Sequence, residues 1–488
     1  MPDANGGPAT HAADVYAVFG PEPEVTAYAL AKYSRSALPL REALREISGQ
    51  QAEKFLNTFY FQYGHRSIAD LAHVALAIER LSILAAIDVA DESKWDGQER
   101  STRYQAFRHG DWITPPELDS AQGDGFTAAM AALFDGYEAA AVAVREHYRR
   151  TVPRPEAMKP ETYDRTLRAR AFDAARYLLP LGTQTSLGQI VSARVLEQQI
   201  VRLLSSPRAE VRAIGAALKR AASEPAFDPR APQTGAATGV RVAPTLVKYT
   251  DPNPYQMETR RALAAAAAEL LGETPIAAAP RVELAPALPL EIELPATLLY
   301  SACHHPYRQV ADAVAALPAA RRQEILSLAT RARGPHDEMA RPFQAGAALA
   351  FDLCMDIGGF RDLHRHRRCT QIPQDFTFGH GYETPNVFAT AGWEPDFHRA
   401  MRAARDAAAP LGEPGHYLLP LGYRHRCLFK MDLAELIYIA ELRTAPGGHI
   451  AYRRVAWEMW QAAARRHPAL ADLARVCEPT EQDALLQR

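Results

Sequence analysis

Cysteine is scarce in this chain: five in 488 residues, Cys303, Cys354, Cys369, Cys427 and Cys477, all in the second half. The odd number and the lack of any C-x-x-C spacing leave no disulfide framework and no cysteine metal site, and predict reduced thiols in a cytosolic protein. A large charge of either sign is also missing. Lys+Arg total 55 against 57 Asp+Glu, a formal net charge of −2. No global pull toward nucleic acid or membrane is expected, so anion binding must come from local clusters. No uncharged apolar run approaches a bilayer span. The opening MPDANGGPATHAAD lacks a basic start and an apolar h-region, so no signal peptide is visible. A soluble, cytoplasmic protein is expected, with neither nucleic acid nor membrane as partner. What the chain does have is apolar material, 48% of its residues, and a length that suggests two to four domains.

Most of the sequence reads helical, with alanine-rich stretches carrying apolar residues three and four apart. Over 67–90, Ile68, Leu71, Ala72, Ala75, Ile78, Ser82, Ala85 and Val89 fall on one stripe and predict an amphipathic helix. Residues 125–148 and 256–271 read as further helices. The segments near 23–33 and 296–302 read as strands or buried helix starts, and period alone does not decide. Proline-rich stretches at 225–245 and 275–296 resist regular structure and bracket one helix. The expected division is a disordered tail over 1–15, a first domain over 16–235, a connecting segment over 236–295 and a second domain over 296–488.

An internal repeat links the halves. ARYLLPLG at 175–182 recurs as GHYLLPLG at 415–422, each followed by a long helical stretch. Upstream of each lies an apolar helix running into a charged segment, DESKWDGQERSTRYQAF at 91–107 and RDLHRHRRCTQIPQDFTF at 361–378. Four elements in one order point to a tandem duplication.

HRHRR at 364–368 is the densest charge cluster. Guanidinium forks suit phosphate, and histidine adds a donor whose charge changes near neutral pH. The cluster reads as a diphosphate grip or as a solvated basic face. Zinc on His364 and His366 is weaker, because no third ligand follows at matching spacing. No metal is expected. Cys369, beside the cluster, is a candidate for a lowered pKa. In ERSTRY at 99–104, Glu99, Ser101 and Arg103 alternate, so an extended segment would turn all three to one side.

These segments resemble the flavin-dependent thymidylate synthases (the ThyX family), whose signature is R-H-R, seven residues, S, then x-R-Y. Arg365, His366 and Arg367 match its front, but Asp375 stands where the serine belongs. Ser101, Arg103 and Tyr104 match its back, with Glu99 also as in the family, but Asp91, Glu92 and Ser93 replace its front. His65 and Ser67 are similar to a family Gly-His segment that contacts FAD. Arg176 matches a nucleotide-binding arginine that His416 replaces in the second half. Arg194 matches an FAD-contacting arginine, and Arg443 a pyrimidine-contacting one, with Arg202 one residue out of register. Asp362 stands where the family has a glutamine against the pyrimidine.

The resemblance implies an α+β, predominantly helical fold of two tandem ThyX-like domains forming a pseudo-dimer, with complementary losses in the two halves. It implies a composite site. Arg443 would be catalytic. Glu99, Ser101, Arg103, Tyr104, Arg176, Asp362 and Arg365 would bind the nucleotide. His65, Ser67, Arg194, Arg365, His366 and Arg367 would bind FAD. The implied reaction is reductive methylation of dUMP or a related pyrimidine nucleotide, with methylenetetrahydrofolate and NADPH as co-substrates, in a homodimer that rebuilds a pseudo-tetramer with half its sites retained. Two alternatives stand beside it: a flavin enzyme acting on a different pyrimidine, and a non-catalytic flavin- or nucleotide-binding scaffold.

Overall fold

The computed structural model describes residues 20–31, 66–227, 237–468 apart from 335, 336, 338 and 345, 471 and 474–480, with single helical positions at Leu44, Ala52, Lys54 and Leu56. The expected tail over 1–15, His65, the Ser67 side chain and residues 335 and 336 lie outside what is described. The strands are β1 (His73–Ser82), β2 (Asp96–Glu99), β3 (Gln184–Ser192), β4 (Pro225–Phe227), β5 (Ala237–Arg241), β6 (Val282–Leu284), β7 (Leu349–Asp356), β8 (Thr370–Pro373) and β9 (Arg424–Met431). Helices dominate the rest, giving an α+β, mostly helical protein.

Two compact units are distinguished. The smaller takes residues up to 74, 192–197 and 219–249. In it, the helix Pro23–Ala31 buries Glu24, whose carboxylate accepts the backbone N–H groups of Thr245 and Leu246, both at 3.0 Å, and β4 pairs with β5.

The larger unit takes 75–191, 198–218 and 250–488. It holds two sheets of matching order, β1-β3-β2 and β6-β7-β9-β8. In each, a long strand leads into a short helix, Ile83–Ala90 after β1 and Ile357–Leu363 after β7. A short strand follows, β2 or β8, and a later strand, β3 or β9, inserts between the two. The duplication read from the sequence is thus carried by topology. The helix Pro254–Leu271 shares one apolar cluster with Leu290–Tyr300, Tyr307–Ala315 and Ala319–Leu328, and that cluster reaches Ile372 and Leu428 of the second sheet.

Three expectations need correction. Residues 67–90 do not form one helix, because 73–82 is strand β1. Val74 and Ile78 are buried and their odd-numbered neighbours exposed, a period of two that the three-and-four spacing had masked. Arg80 then takes φ 60°, the one non-glycine positive φ among the described residues, and the alternation slips so that Leu81 turns inward. Ser82 caps the next helix, its Oγ accepting Ala85 N at 2.9 Å. Each LLPLG is followed first by a strand, not by helix. The proline-rich stretches contain β4, β5, β6 and the start of the helix Leu290–Tyr300, which carries Pro295 inside it. Of the undecided segments, 23–31 and 296–300 are helical.

Ser120–Thr151 is long and apolar enough, on composition alone, to cross a membrane. Its buried residues Phe126, Met130, Leu133, Tyr137, Ala140 and Val144 form one stripe, and the helix packs on Pro160–Ala175 and Glu394–Ala408. That pattern is a core-facing helix.

The two LPLG segments pair with each other. Leu181 N donates to Leu419 O (2.8 Å) and Gly182 N to Tyr417 O (2.6 Å); reciprocally, Leu421 N donates to Leu179 O (2.8 Å) and Gly422 N to Tyr177 O (3.0 Å). The glycines permit this approach: a Cβ on Gly182 would stand 2.9 Å from Tyr417 O, and one on Gly422 3.0 Å from Tyr177 O. Gly182→Ala is therefore expected to destabilise the protein by about 1–3 kcal/mol in urea unfolding. Gly136→Ala, whose Cβ would meet nothing closer than 3.7 Å, should be neutral or slightly stabilising within its helix. Equal effects would contradict the packing described.

Candidate functional site

The basic cluster sits where the helix Ile357–Leu363 ends and the chain turns into β8. Asp356 starts that helix, its Oδ1 accepting Gly359 N at 2.7 Å. A cavity of about 340 Å³ opens beside the cluster, lined by Ser93–Asp96, Arg365–Arg368, Glu435, Tyr438, Leu442 and Arg443. Its volume falls within the range of small-ligand sites. The lining carries five cationic side chains against two carboxylates, Asp96 and Glu435. Tyr438 and Leu442 are exposed at its rim. Both copies contribute: Trp95 from the first lies under Arg367, whose guanidinium is 4.3 Å from the ring centroid. Trp95 is fixed by its indole N–H, which donates to Gln189 Oε1 at 2.6 Å. Burial, with Arg365 adding to it, pushes the Arg367 guanidinium down to about 10, partly offset by Asp96. It remains charged at neutral pH, and an arriving anion would relieve that penalty.

Behind the cavity, Tyr452 joins the copies. Its ring lies 5.5 Å from the Arg443 guanidinium. Its hydroxyl accepts a hydrogen bond from Arg103 Nη1 at 3.1 Å, and Arg103 Nε donates to Asp173 Oδ1 at 2.8 Å. Burial disfavours charge on Arg103, but Asp173 outweighs it and raises the guanidinium above its ordinary range. His449 lies against the same group. Burial, helped by Arg176, pushes its imidazole down to about 3, so it is neutral. Its Nδ1 accepts Ala451 N at 3.2 Å and its Nε2 lies 3.1 Å from Asp173 O.

Arg176 is 1% exposed, yet only its Nη1 is used, toward Asp362 Oδ2 at 3.4 Å and Thr102 Oγ1 at 3.5 Å. Its Nε and Nη2 find no partner among the described residues, and neither do Nε of Arg361 and Arg367. Buried guanidinium nitrogens left bare are costly and call for an acceptor, such as the oxygens of a ligand. Burial would raise the Asp362 carboxyl, but Arg176, Arg103 and Arg365 outweigh it and hold it below the usual carboxylate range.

Of the residues singled out from sequence, Arg365, His366, Arg367 and Arg443 share the cavity wall, and Arg103, Arg176 and Asp362 lie next to it through Tyr452 and the Asp362 ion pairs. The one-sided arrangement expected of 99–104 is not formed. β2 ends at Glu99, residues 102–104 make a turn, and Ser101 Oγ accepts Arg103 N at 3.2 Å to close it. The turn sends Arg103 inward and leaves Tyr104 61% exposed. Glu99 is taken by an ion pair with Arg361 of the second copy. Arg194 belongs to the smaller unit, where it pairs with Asp70 Oδ2 at 3.1 Å. His364 and His366 diverge: His364 Nδ1 meets Gln371 Oε1 at 2.8 Å, while His366 Nε2 accepts Arg443 Nε at 2.7 Å. Sequence reasoning missed Trp95, Asp173, Glu435, His449 and Tyr452. Only the conjunction of Trp95 with charged neighbours at 91–99 offered a signal.

At the place related by the repeat, the arginines face carboxylates. Asp88, six residues into its copy from Ser82 as Asp362 is from Asp356, faces Arg208 at 3.7 Å. Arg208 also pairs with Asp375 (2.5 Å) and Glu413 (3.7 Å), Arg202 with Glu92 (2.8 Å), and Arg341 with Asp91 (2.5 Å). Asp375, Glu413 and His416 come within 4.8 Å of one another there, but Arg208 already faces both carboxylates.

A family model described as "Thymidylate synthase complementing protein" (Thy1) matches residues 16–224 and 304–469. This chain belongs to the Thy1 family. The two segments fall on the two copies, so the Thy1 unit is duplicated in tandem. Among relatives, a UPF0159 protein of Chlamydia muridarum is 28% identical over 94% of this chain and 92% of its own length. A UPF0159 protein of Thermoplasma acidophilum is 24% identical over 91% of this chain and 94% of its own. A flavin-dependent thymidylate synthase of Clostridium tetani is 25% identical over 36% of this chain and 68% of its own. A solved structure of ThyX from Helicobacter pylori, complexed with FAD and dUMP, aligns with a TM-score of 0.28 and 14% identity over 41% of this chain and 88% of that one.

A further expectation about this Thy1 protein's site is overturned. Cys369 is not activated. It is 6% exposed, its Sγ donates to His366 O at 2.9 Å, and burial pushes the thiol up to about 12. With a thiol-specific reagent at pH 8, exposed Cys477 should react first and Cys369 only on unfolding, as read by peptide mass spectrometry. Rapid native labelling of Cys369 would contradict the burial.

Proposed function

We propose that this Thy1-family chain binds FAD and a pyrimidine nucleotide in the 93–96/365–368/435–443 cavity and catalyses reductive methylation of dUMP or a related nucleotide. The observation that carries the reading is one cavity lined by four guanidinium groups of the second copy together with Ser93–Asp96 of the first, and, beside Asp362, buried nitrogens of Arg176 left bare. A dinucleotide fits this donor set. Arg365, Arg367 and Arg368 would take diphosphate oxygens through forked hydrogen bonds. Arg176 and Arg103, with Asp362 balancing their charge, would take the nucleotide phosphate. Arg443 would stabilise negative charge on the pyrimidine as its ring is activated. Trp95, Tyr438 and Leu442 would cover ring faces and keep water off. When bound, FAD supplies the redox chemistry, with methylenetetrahydrofolate as carbon source and NADPH as reductant; the chain's own residues bind, orient and stabilise charge. The ion pairs that fill the repeat-related place favour one such site per chain; the assembly proposed with it is a cytoplasmic homodimer.

A second substrate reading rests on Asp362. Held ionised, it only accepts hydrogen bonds, where an amide would also donate. It would favour a pyrimidine edge bearing an amino group over uracil.

Purified protein should be yellow or take up added FAD, with the flavin spectrum shifting on addition of dUMP. Arg365→Ala and Arg367→Ala, at exposed and half-buried positions that spare the core, should each weaken FAD binding about tenfold or more. Colourless protein that takes up no FAD would defeat both enzyme readings. Growth of a thymidine-requiring strain without thymidine separates uracil from other pyrimidine substrates.

A further inference from the structure

A buried carboxylate in an anion-binding cavity needs a reason, and Glu435 is 2% exposed. Its backbone N–H is held by Asp432 Oδ1 at 2.8 Å, the cap of the helix Leu433–Thr444, which fixes where the side chain starts. Its Oε1 lies 3.5 Å from His366 Nδ1. Across the ring, Nε2 faces Arg443 Nε at 2.7 Å. A guanidinium N–H can only donate, so Nε2 must be the unprotonated nitrogen. The proton of the neutral ring then sits on Nδ1, facing Glu435. Tyr438 closes one side of the imidazole, edge to face at 5.6 Å between centroids. Arg443, held through Nε and lying over Tyr452, keeps its two terminal nitrogens for the cavity it lines.

We propose that Glu435 is a positioning residue: through the His366 tautomer it fixes the orientation in which Arg443 meets the ligand, and a second proton on His366 releases that hold. The inference rests on the cavity being the nucleotide–flavin site. In the doubly protonated ring both nitrogens donate, so Nε2–H would face Arg443 Nε–H and the contact would break. The groups acting on the ring are few. Burial opposes the extra proton, as do Arg443 and Arg367, while Glu435 favours it; the balance holds the imidazole below its ordinary 6.5. Cys369 Sγ and Gln371 Nε2 bond the His366 carbonyl and leave the ring alone. Arg443 is thus held at neutral pH and released as pH falls through that lowered value.

Two readings on the full chain test this. In ligand-free protein with isotope-labelled histidines, the His366 resonances are identified by their loss in His366→Gln. The expected result is an Nδ1–H tautomer at pH 7.5 and a protonation midpoint below 6.5. Glu435→Gln can still accept Nδ1–H through its amide oxygen but lacks the charge, so the tautomer should persist while the midpoint moves lower. An Nε2–H tautomer, or a midpoint unmoved by Glu435→Gln, overturns the inference. In the second reading, dUMP binding by FAD-loaded protein should fall about tenfold at pH 7.5 in Glu435→Ala and recover in Glu435→Gln, with the acid limb of binding shifted to lower pH. A uniform loss at every pH in both variants would mark Glu435 as merely structural. Wild-type protein that binds neither FAD nor dUMP would defeat the functional reading alone, since the tautomer and its midpoint are read without ligand.

Discussion

Two backbone segments of identical sequence, Leu179–Gly182 and Leu419–Gly422, bond to each other, and the site depends on that pairing. Tyr177 O and Gly422 N lie 3.0 Å apart, which brings Arg176, one residue upstream, onto the second copy. The same segment receives the next helix, because Gly358 N donates to Leu421 O at 3.1 Å. A Cβ on Gly358 would stand 3.3 Å from Arg176 Nε. The glycine therefore makes room for a guanidinium from the other copy, and Arg176 reaches Asp362 on that helix. Sequence identity, backbone pairing and charge placement are one connected constraint.

From that constraint the two repeat-related places diverge by charge alone. Around Asp362, Arg176, Arg103 and Arg365 outweigh burial and keep the carboxylate ionised. Around Asp88, burial outweighs Arg208 and Arg202, helped by neighbouring Asp375 and Asp91, and the carboxyl is pushed up. Beside Asp362, Arg176 keeps two buried nitrogens without a partner among the described residues; at the other place Arg208, Arg202 and Arg341 each face carboxylates of that place. Internal ion pairs of that kind cost desolvation and gain little net stability. Their consequence here is exclusion: phosphate oxygens would have to compete with tethered carboxylates for Arg208, Arg202 and Arg341.

Much of this was legible in the sequence where chemistry is local. The doubled YLLPLG announced the duplication, and the R-H-R cluster with Arg443 in register announced a basic cavity. The strand β1 was not legible, because alanine-rich sequence satisfies helical and alternating periods at once and the slip at Arg80 hides the alternation. ERSTRY was read as extended, but Ser101 bonds its own backbone two residues on, the habit of serine in turns. Trp95, Tyr452 and Glu435 were invisible for a different reason. Each acts through a residue far away in the chain, Arg367, Arg103 and His366 respectively, and no local pattern encodes such a partner. The error on Cys369 came from counting neighbouring charges without burial, which proved the larger effect.

The central claim is that one ligand is held by residues of both copies at once. Hydrogen exchange on the full chain, with and without FAD and dUMP, tests it most directly. Protection should rise together in peptides covering 91–104, 361–375 and 433–452, and remain unchanged in those covering 83–90 and 202–208 at the repeat-related place. Protection confined to one copy, or appearing at the repeat-related place, would contradict a shared site.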